Sequence, residues 1–422
     1  MTSWFRKPTG WGIVCGLIAC LLVGCGRELP LEARVEQLLT KADYARALEL
    51  IAEALRKDPV AWPVEDLRVR VLLAAGRPEE ALSAYATRWS QGGPESPELF
   101  RRIAARLLKE GLESQDGLLR NRAAAALAGF ATPDLLPVFR EALKHPDASV
   151  RALSVQGLGH MQAEESGRLL REALQDPRAE VRAAAADALG MRADADSQAA
   201  LARTLNDPSR KVRLRTVAAL ARQNDATAFA SLRQYLGDRD DSIRMQAAEA
   251  LGHLGNREAA PDLRVLLRDP NPYVRVYAAE ALARLRDPAG REAMRAALRH
   301  PNRSVALYAA EAFSNLGDAS GTPRLIDALR PDEDLSVRLY AAWTLARLGD
   351  FRGLPILEEL LQHGQTQVRV QATWTLGEMQ QGVGLAPLRQ AVLDGARPVR
   401  LQAAWALAAK LSKGDSRKTA GG

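Results

Sequence analysis

Cysteine is confined to one end of this chain. The 422 residues include three, Cys15, Cys20 and Cys25, and the remaining sequence therefore offers neither a disulfide nor a thiol nucleophile. Histidine is scarce too, and its five copies show no zinc-type spacing with one another or with the cysteines. These are His145, His160, His253, His300 and His363. The sequence thus predicts no metal site.

Catalytic signatures are missing as well. The sequence contains no phosphate-binding glycine loop and no Gly-x-Ser-x-Gly elbow, so we predict no catalytic residue, no cofactor and no enzymatic activity. The net charge of +7 is carried by 58 basic residues interleaved with 51 acidic ones, which is too mild a bias for a nucleic-acid footprint. We therefore expect no nucleic-acid partner.

Long apolar runs are also lacking. The run from Trp11 to Val23 is thirteen residues long, whereas a membrane-spanning helix needs about 20. It follows the basic Arg6 and Lys7, which predicts a signal peptide over residues 1–24. The run ends in Leu22-Val23-Gly24-Cys25, which resembles a bacterial lipobox, and this resemblance implies acylation of Cys25, palmitate included.

A second tetrapeptide, Leu17-Ile18-Ala19-Cys20, fits the same pattern. We prefer Cys25, because cleavage at Cys20 leaves an apolar mature start whereas Arg27 and Glu28 follow Cys25 at once. An ordinary signal, cleaved or uncleaved, remains the alternative. Residues 25–31 would form a lipidated linker on a periplasm-facing protein of the bacterial cell envelope, and Gly26 favours the outer membrane by similarity to enterobacterial sorting rules.

What the chain has in abundance is repetition. A β-branched residue, an arginine and, seven positions later, a leucine or phenylalanine recur in steps of 31 residues, with one step of 32. Such a period predicts a solenoid, in which each unit buries its apolar face against its neighbours. Ala306 occupies one slot, and the repeat arginines are Arg120, Arg151, Arg182, Arg213, Arg244, Arg275, Arg338, Arg369 and Arg400.

One repeat, Leu263 to Gly290, shows the composition of the unit. Leucines at helical spacing are followed by Asp269-Pro270 and then by an alanine-rich helix, which predicts two antiparallel helices. The pattern resembles the short HEAT repeats named after phycobilisome lyases. That resemblance covers residues 112–411 and implies an all-α, right-handed superhelical solenoid of stacked helix pairs. In similar repeats the aspartate six residues before the arginine forms a ladder between loops, so we interpret both residues as structural.

The flanking segments differ from this array. Residues 32–111 contain Asp43 to Leu48 and, 34 positions later, Arg77 to Leu82, which resembles a tetratricopeptide repeat. Residues 412–422 are polar and end in glycines, which predicts a disordered tail.

A candidate binding surface follows from helical geometry. Positions two and five after each repeat arginine vary freely and share one stripe, which by resemblance to HEAT proteins lines the concave side. Three acidic and six aromatic residues are concentrated there, and aromatic side chains commonly anchor interfaces. They are Glu249, Glu280, Glu311, Tyr277, Tyr308, Tyr340, Trp343, Trp374 and Trp405. Under a second interpretation the tryptophans only fill space between adjacent helices.

The functional hypothesis is a membrane-anchored, non-catalytic scaffold that binds a protein or peptide in the cell envelope through its concave surface. One alternative is a carbohydrate-binding protein, because a ladder of planar rings can also stack sugars. Another is an enzyme similar to bilin lyases, although the resemblance of the repeats does not by itself carry that activity.

Overall fold

The computed structural model describes residues 29–130, 135–192, 194–379 and 383–419, and these contain 24 α-helices and no strand. Residues 1–24, predicted to be a signal peptide, and Cys25 lie outside the described residues. The chain divides into two compact units, Met1–Leu107 and Leu108–Gly422. The all-α solenoid predicted from the repeat is confirmed. Among the described helices, none combines the length and the apolar character that a membrane span requires.

The first unit is a set of short helices around an apolar cluster that includes Val35, Ile51 and Val71. Its second and fourth helices begin at Tyr44 and Pro78, which keeps the 34-residue offset of the sequence pattern. The boundary between the units falls inside the fifth helix, a few residues before the predicted boundary at 111/112. The helices are α1 Leu31–Thr40, α2 Tyr44–Lys57, α3 Trp62–Ala74, α4 Pro78–Ser90 and α5 Pro97–Leu112.

The second unit alternates two kinds of helix. From α6 onward, the even-numbered helices carry the repeat arginines, or Ala306 in the case of α18, and are called inner helices here. They are α6 Gly117–Phe130, α8 Ala148–Gly159, α10 Ala179–Leu189, α12 Arg210–Arg222, α14 Asp241–Leu254, α16 Pro272–Arg284, α18 Arg303–Asn315, α20 Leu335–Arg347, α22 Thr366–Glu378 and α24 Arg397–Thr419. The helices between them are α7 Leu136–Ala142, α9 Glu164–Ala173, α11 Ala195–Thr204, α13 Ala226–Gln234, α15 Ala260–Leu266, α17 Pro288–Ala297, α19 Thr322–Asp327, α21 Leu354–Leu360 and α23 Leu385–Ala391.

Small residues let neighbouring inner helices approach closely. A Cβ atom added to Gly252 would lie 2.7 Å from the Cα of Ala281, so α14 and α16 nearly touch through their backbones. Each inner helix contacts the next, and α24 also contacts α6. The row of inner helices in this unit therefore closes on itself, which the repeat period did not predict.

A ladder of arginine and aspartate joins successive loops, as predicted. In Arg182, Nη1 donates to the carbonyl oxygens of Asp176 and Pro177 in its own loop, at 2.8 and 3.0 Å. Its Nε and Nη2 donate to the carboxylate of Asp207 in the next loop, at 2.7 and 2.9 Å. This hydrogen bond from Arg182 lowers the pKa of Asp207 below its usual value. Arg151, Arg244 and Arg369 repeat the arrangement with Asp176, Asp269 and Asp394.

In three repeats a histidine stands where other repeats have the loop aspartate, and it accepts the same backbone hydrogen bond. The Nδ1 atoms of His145, His300 and His363 each accept the backbone N–H two residues later, at 3.0 to 3.1 Å. An aspartate in this slot does the same, as in the 2.8 Å bond from Arg178 N to Asp176. These three histidines therefore stabilise turns, which explains their spacing without a metal.

The last helix continues to Thr419, into the segment for which the sequence predicted disorder.

Core packing makes the first testable prediction. The residue seven positions after each repeat arginine is at most 2% exposed, and Leu282 is fully buried. Leu282→Ala should lower the free energy of unfolding by about 2 to 5 kcal/mol, because it removes buried methyl groups and leaves a cavity. Val265→Ala is the control, since Val265 is 70% exposed. Hydrogen exchange should show the two halves of the array opening separately in Leu282→Ala, and one uniform opening would contradict a nearest-neighbour stack.

Candidate functional site

Aromatic side chains form a continuous row across the inner helices. Ring centroids are 5.2 Å apart for Tyr273 and Tyr308, and 6.1 Å for Tyr308 and Tyr340. The row continues at 6.0 Å to Trp343 and at 6.2 Å to Trp374. These five residues are called the aromatic row. The columns read from the sequence thus meet in space on α16, α18, α20 and α22.

Part of the aromatic row is open to solvent. Tyr308 is 38% exposed and Trp374 is 39% exposed, whereas Trp343 and Tyr340 are half-buried. The indoles of Trp343 and Trp374 are stacked at an interplanar angle of 26°, and the guanidinium of Arg347 lies 4.8 Å from the Trp343 ring. Stacking and this cation–π contact hold the rings in place before any ligand arrives.

Trp405 does not belong to the accessible surface, which corrects the sequence prediction. It is 1% exposed. A Cβ atom added to Gly111 would lie 3.0 Å from its ring and 2.8 Å from the Cβ of Ala123 on α6, so the indole is wedged beside α6. The space-filling interpretation therefore holds for Trp405 and fails for Trp374, because only the last inner helix is covered by the first.

The three glutamates also differ from one another. Glu280 accepts hydrogen bonds from Arg284 Nη2 at 2.7 Å and from Asn315 Nδ2 at 3.1 Å. Glu311 accepts from the Tyr340 hydroxyl and from Arg347 Nη1, the latter at 3.4 Å. These two carboxylates are engaged within the protein and help to order the aromatic row. Glu249 is exposed and is the one whose carboxylate faces solvent freely enough to meet a partner.

Burial shapes the protonation of this surface. It raises the pKa of Glu311, against the hydrogen bond from Tyr340, and it raises the pKa of Tyr340. Burial and the nearby Glu249 carboxylate raise the pKa of Tyr277 to about 12. The half-buried phenols therefore stay neutral at physiological pH and remain hydrogen-bond donors.

A cavity of about 570 Å³ adjoins the aromatic row, between α6 and the inner helices α20, α22 and α24. A volume of this order suits a ligand or a short peptide segment. Tyr340, Trp343 and Trp374 belong to both the cavity lining and the aromatic row. The α6 side contributes Leu118, Asn121, Arg122, Ala125, Ala126 and Gly129.

Two residues of this surface were missed in the sequence. Tyr273 lies one helical turn before Tyr277 and starts the aromatic row, so the spacing of four residues was the available signal. Arg122 lies two residues after the repeat arginine Arg120 on α6. It is equivalent to Leu153 in the next repeat, so one more step of 31 residues back from Leu153 would have found it. Within the described ranges, no group of His, Cys, Asp and Glu is arranged to hold a metal ion.

The contrast between two tryptophans gives a prediction. Trp405→Ala should lower the free energy of unfolding by about 3 to 5 kcal/mol, because it empties a buried site. Trp374→Ala should cost about 1 kcal/mol, the worth of one exposed stacking contact. Chemical denaturation monitored by circular dichroism measures both. Equal losses in the two variants would mean that the Trp374 ring is a packing residue as well.

Comparison with known proteins identifies the fold of this chain but not its function. The HEAT-repeat family profile matches residues 105–190, 141–208, 197–269, 262–334 and 322–408. No curated protein matches the sequence significantly.

Several solved structures share the repeat at low identity. The complex of CpcE and CpcF of phycocyanin lyase from Nostoc contains a chain with 21% identity and a TM-score of 0.35, covering 67% of this chain and 94% of that one. Human deoxyhypusine hydroxylase with glycerol has 22% identity and a TM-score of 0.33, covering 62% and 99%. These likenesses carry no functional argument, but the profile spans residues 105–408, and the chain therefore belongs to the HEAT-repeat family.

Proposed function

We propose that this protein is a lipid-anchored, non-catalytic scaffold of the bacterial cell envelope that binds an extended segment of a protein or a peptide on its inner helices. The observation that carries the proposal is the aromatic row, which is partly exposed, ordered by its own contacts and continuous with the cavity. Large rings that are rigid before binding lose little entropy, which is why such residues anchor interfaces.

The charges beside the aromatic row support a binding role over a catalytic one. Glu280 is held by Arg284 and Asn315, and Glu311 is held by Tyr340 and Arg347. A general base needs a proton of the substrate within hydrogen-bond reach, whereas these carboxylates are occupied by the protein. An enzyme similar to bilin lyases remains an alternative that rests on the resemblance of the repeats, and a coloured purified protein would favour it.

A carbohydrate ligand is the second candidate. The exposed face of Trp374, with the exposed amide of Gln371 one helical turn away, has the combination of flat ring and polar group that stacks a sugar. A glycan array separates this candidate from the peptide, because a carbohydrate-binding surface should retain the same sugars from any source.

Partner capture tests the proposed surface. Crosslinking in intact cells followed by purification should recover a protein partner with the wild-type chain. Trp374→Ala should weaken that interaction by about 30-fold or more, as expected for an interface anchor. Val265→Ala, an exposed substitution on α15, serves as the control and should capture normally. Undiminished capture by Trp374→Ala would contradict a binding role for the aromatic row.

The anchor is proposed from the sequence, since Cys25 lies outside the described residues. Cys25→Ser should abolish incorporation of a fatty-acid probe and leave either a soluble periplasmic form or an unprocessed precursor. Cys20→Ser should incorporate the probe like the wild type. Label that persists in Cys25→Ser and disappears in Cys20→Ser would move the acylation site to Cys20.

A further inference from the structure

Arg122 is the basic side chain in the lining of the cavity. Burial lowers its pKa, and no charged group of the described chain acts on it. Its Nε is buried and has no acceptor among the described residues. A guanidinium stays protonated at neutral pH, so a positive charge lies here without a counter-charge among the described residues.

Three other arginines of the inner helices have carboxylate partners. Arg284 pairs with Glu280 at 2.7 Å, Arg347 with Glu311 at 3.4 Å and Arg215 with Asp187 at 3.4 Å. The acidic side chain in the cavity lining is Glu378, which is exposed and forms no ion pair with Arg122 within the part of the chain that the structure describes. Arg122 therefore differs from these three arginines in its environment and not in its residue type.

Further polar atoms around the same cavity lack partners. The indole N–H groups of Trp343 and Trp405 and the Oδ1 atom of Asn121 are buried and form no hydrogen bond within the described residues. A buried donor left without an acceptor is unfavourable and calls for an explanation. These three atoms are themselves closed off from solvent, so the polar group that an occupant can reach is the terminal part of the half-buried Arg122 side chain.

Most of the other residues that line the cavity are apolar. Leu118 and Leu339 face the cavity together with small residues of α6 and α24, and Trp374 adds an indole that is 39% exposed. These surfaces suit an apolar side chain, whereas Arg122 suits an anion. One occupant therefore has to combine an apolar body with a single negatively charged end.

We propose that this cavity binds the free C-terminal carboxylate and the last apolar side chain of a peptide, with the Arg122 guanidinium holding the carboxylate. The inference rests on the proposed peptide-binding function and names the end of the peptide that is recognised. A guanidinium matches a carboxylate with two parallel hydrogen bonds, and capture of a chain terminus is a recurring mode of peptide recognition.

The position of the cavity favours a peptide over other apolar anions. Trp343 and Tyr340 line the cavity and continue into the aromatic row towards Tyr308. The residues that precede the C-terminus can lie along this row. Exposed Glu249 on α14 can meet a basic residue further back in the peptide. A fatty acid carries no cation for Glu249, and a uronic-acid sugar carries no apolar side chain to pack against the leucines.

Two pools of octapeptides test the proposal on the full-length protein. Both are randomised at the first seven positions and end in phenylalanine, one as the free acid and one as the carboxamide. Mass spectrometry of retained peptides should show the free acid enriched about ten-fold or more over the amide on the wild type. Arg122→Gln should abolish this preference and Arg122→Lys should restore part of it. Arg222→Gln, which changes an exposed arginine of α12, is the control and should keep it.

A melting curve excludes a merely structural role. Arg122→Gln should melt at the same temperature as the wild type or higher, because it removes a desolvated charge without a partner. A fall of several degrees would overturn the assignment of Arg122 to a ligand.

The results of this binding experiment distinguish a failure of carboxylate recognition from a failure of peptide binding. Equal retention of acid and amide pools, or a preference that survives Arg122→Gln, overturns carboxylate recognition and leaves peptide binding standing. Retention of neither pool contradicts peptide binding itself. Binding of dodecanoate or of a galacturonate oligomer in place of the peptides would overturn both and identify the occupant as a lipid or an acidic glycan.

Discussion

Hydrogen bonds between an arginine of one repeat and an aspartate of the next fix the register of the array. Arg151, Arg182 and Arg369 each bind the carbonyl groups of their own loop and the aspartate carboxylate of the following loop. Both groups are mostly buried, so a slip of one residue would leave a charge without a partner. Equivalent positions of successive inner helices consequently fall on common lines. The aromatic row exists because this register is kept.

The inner surface built on that register is chemically uneven. Around α16 and α18, the glutamates accept hydrogen bonds from neighbouring arginine, asparagine and tyrosine side chains. Towards α22 and α24 the surface becomes apolar, and Arg122 on α6 adds a positive charge that has no partner within the described part of the chain. An extended ligand would therefore meet different chemistry at its two ends. Under the proposed function, this polarity would select the direction in which a bound peptide lies.

The sequence predicted most of the fold, because a fixed period and alternating helix signals are local properties of the chain. It also placed Tyr308, Tyr340, Trp343 and Trp374 on one surface, since each step of the repeat preserves the register. It misjudged Trp405, whose burial depends on the contact between α24 and α6. That closure is set by the summed curvature of many repeats, to which no single motif corresponds. The cavity follows from the same closure and was missed for the same reason, whereas the position of Arg122 could have been found by one more step of the period.

The central claim is that the surface of the inner helices, and not that of the odd-numbered helices between them, meets the partner. A photo-crosslinking amino acid placed at Gln371, which is exposed beside the cavity, tests this in intact cells. The same substitution at Gln198, exposed on α11, is the matched control. The account predicts a discrete protein adduct from position 371 and none from position 198. An adduct from position 198 alone would contradict it.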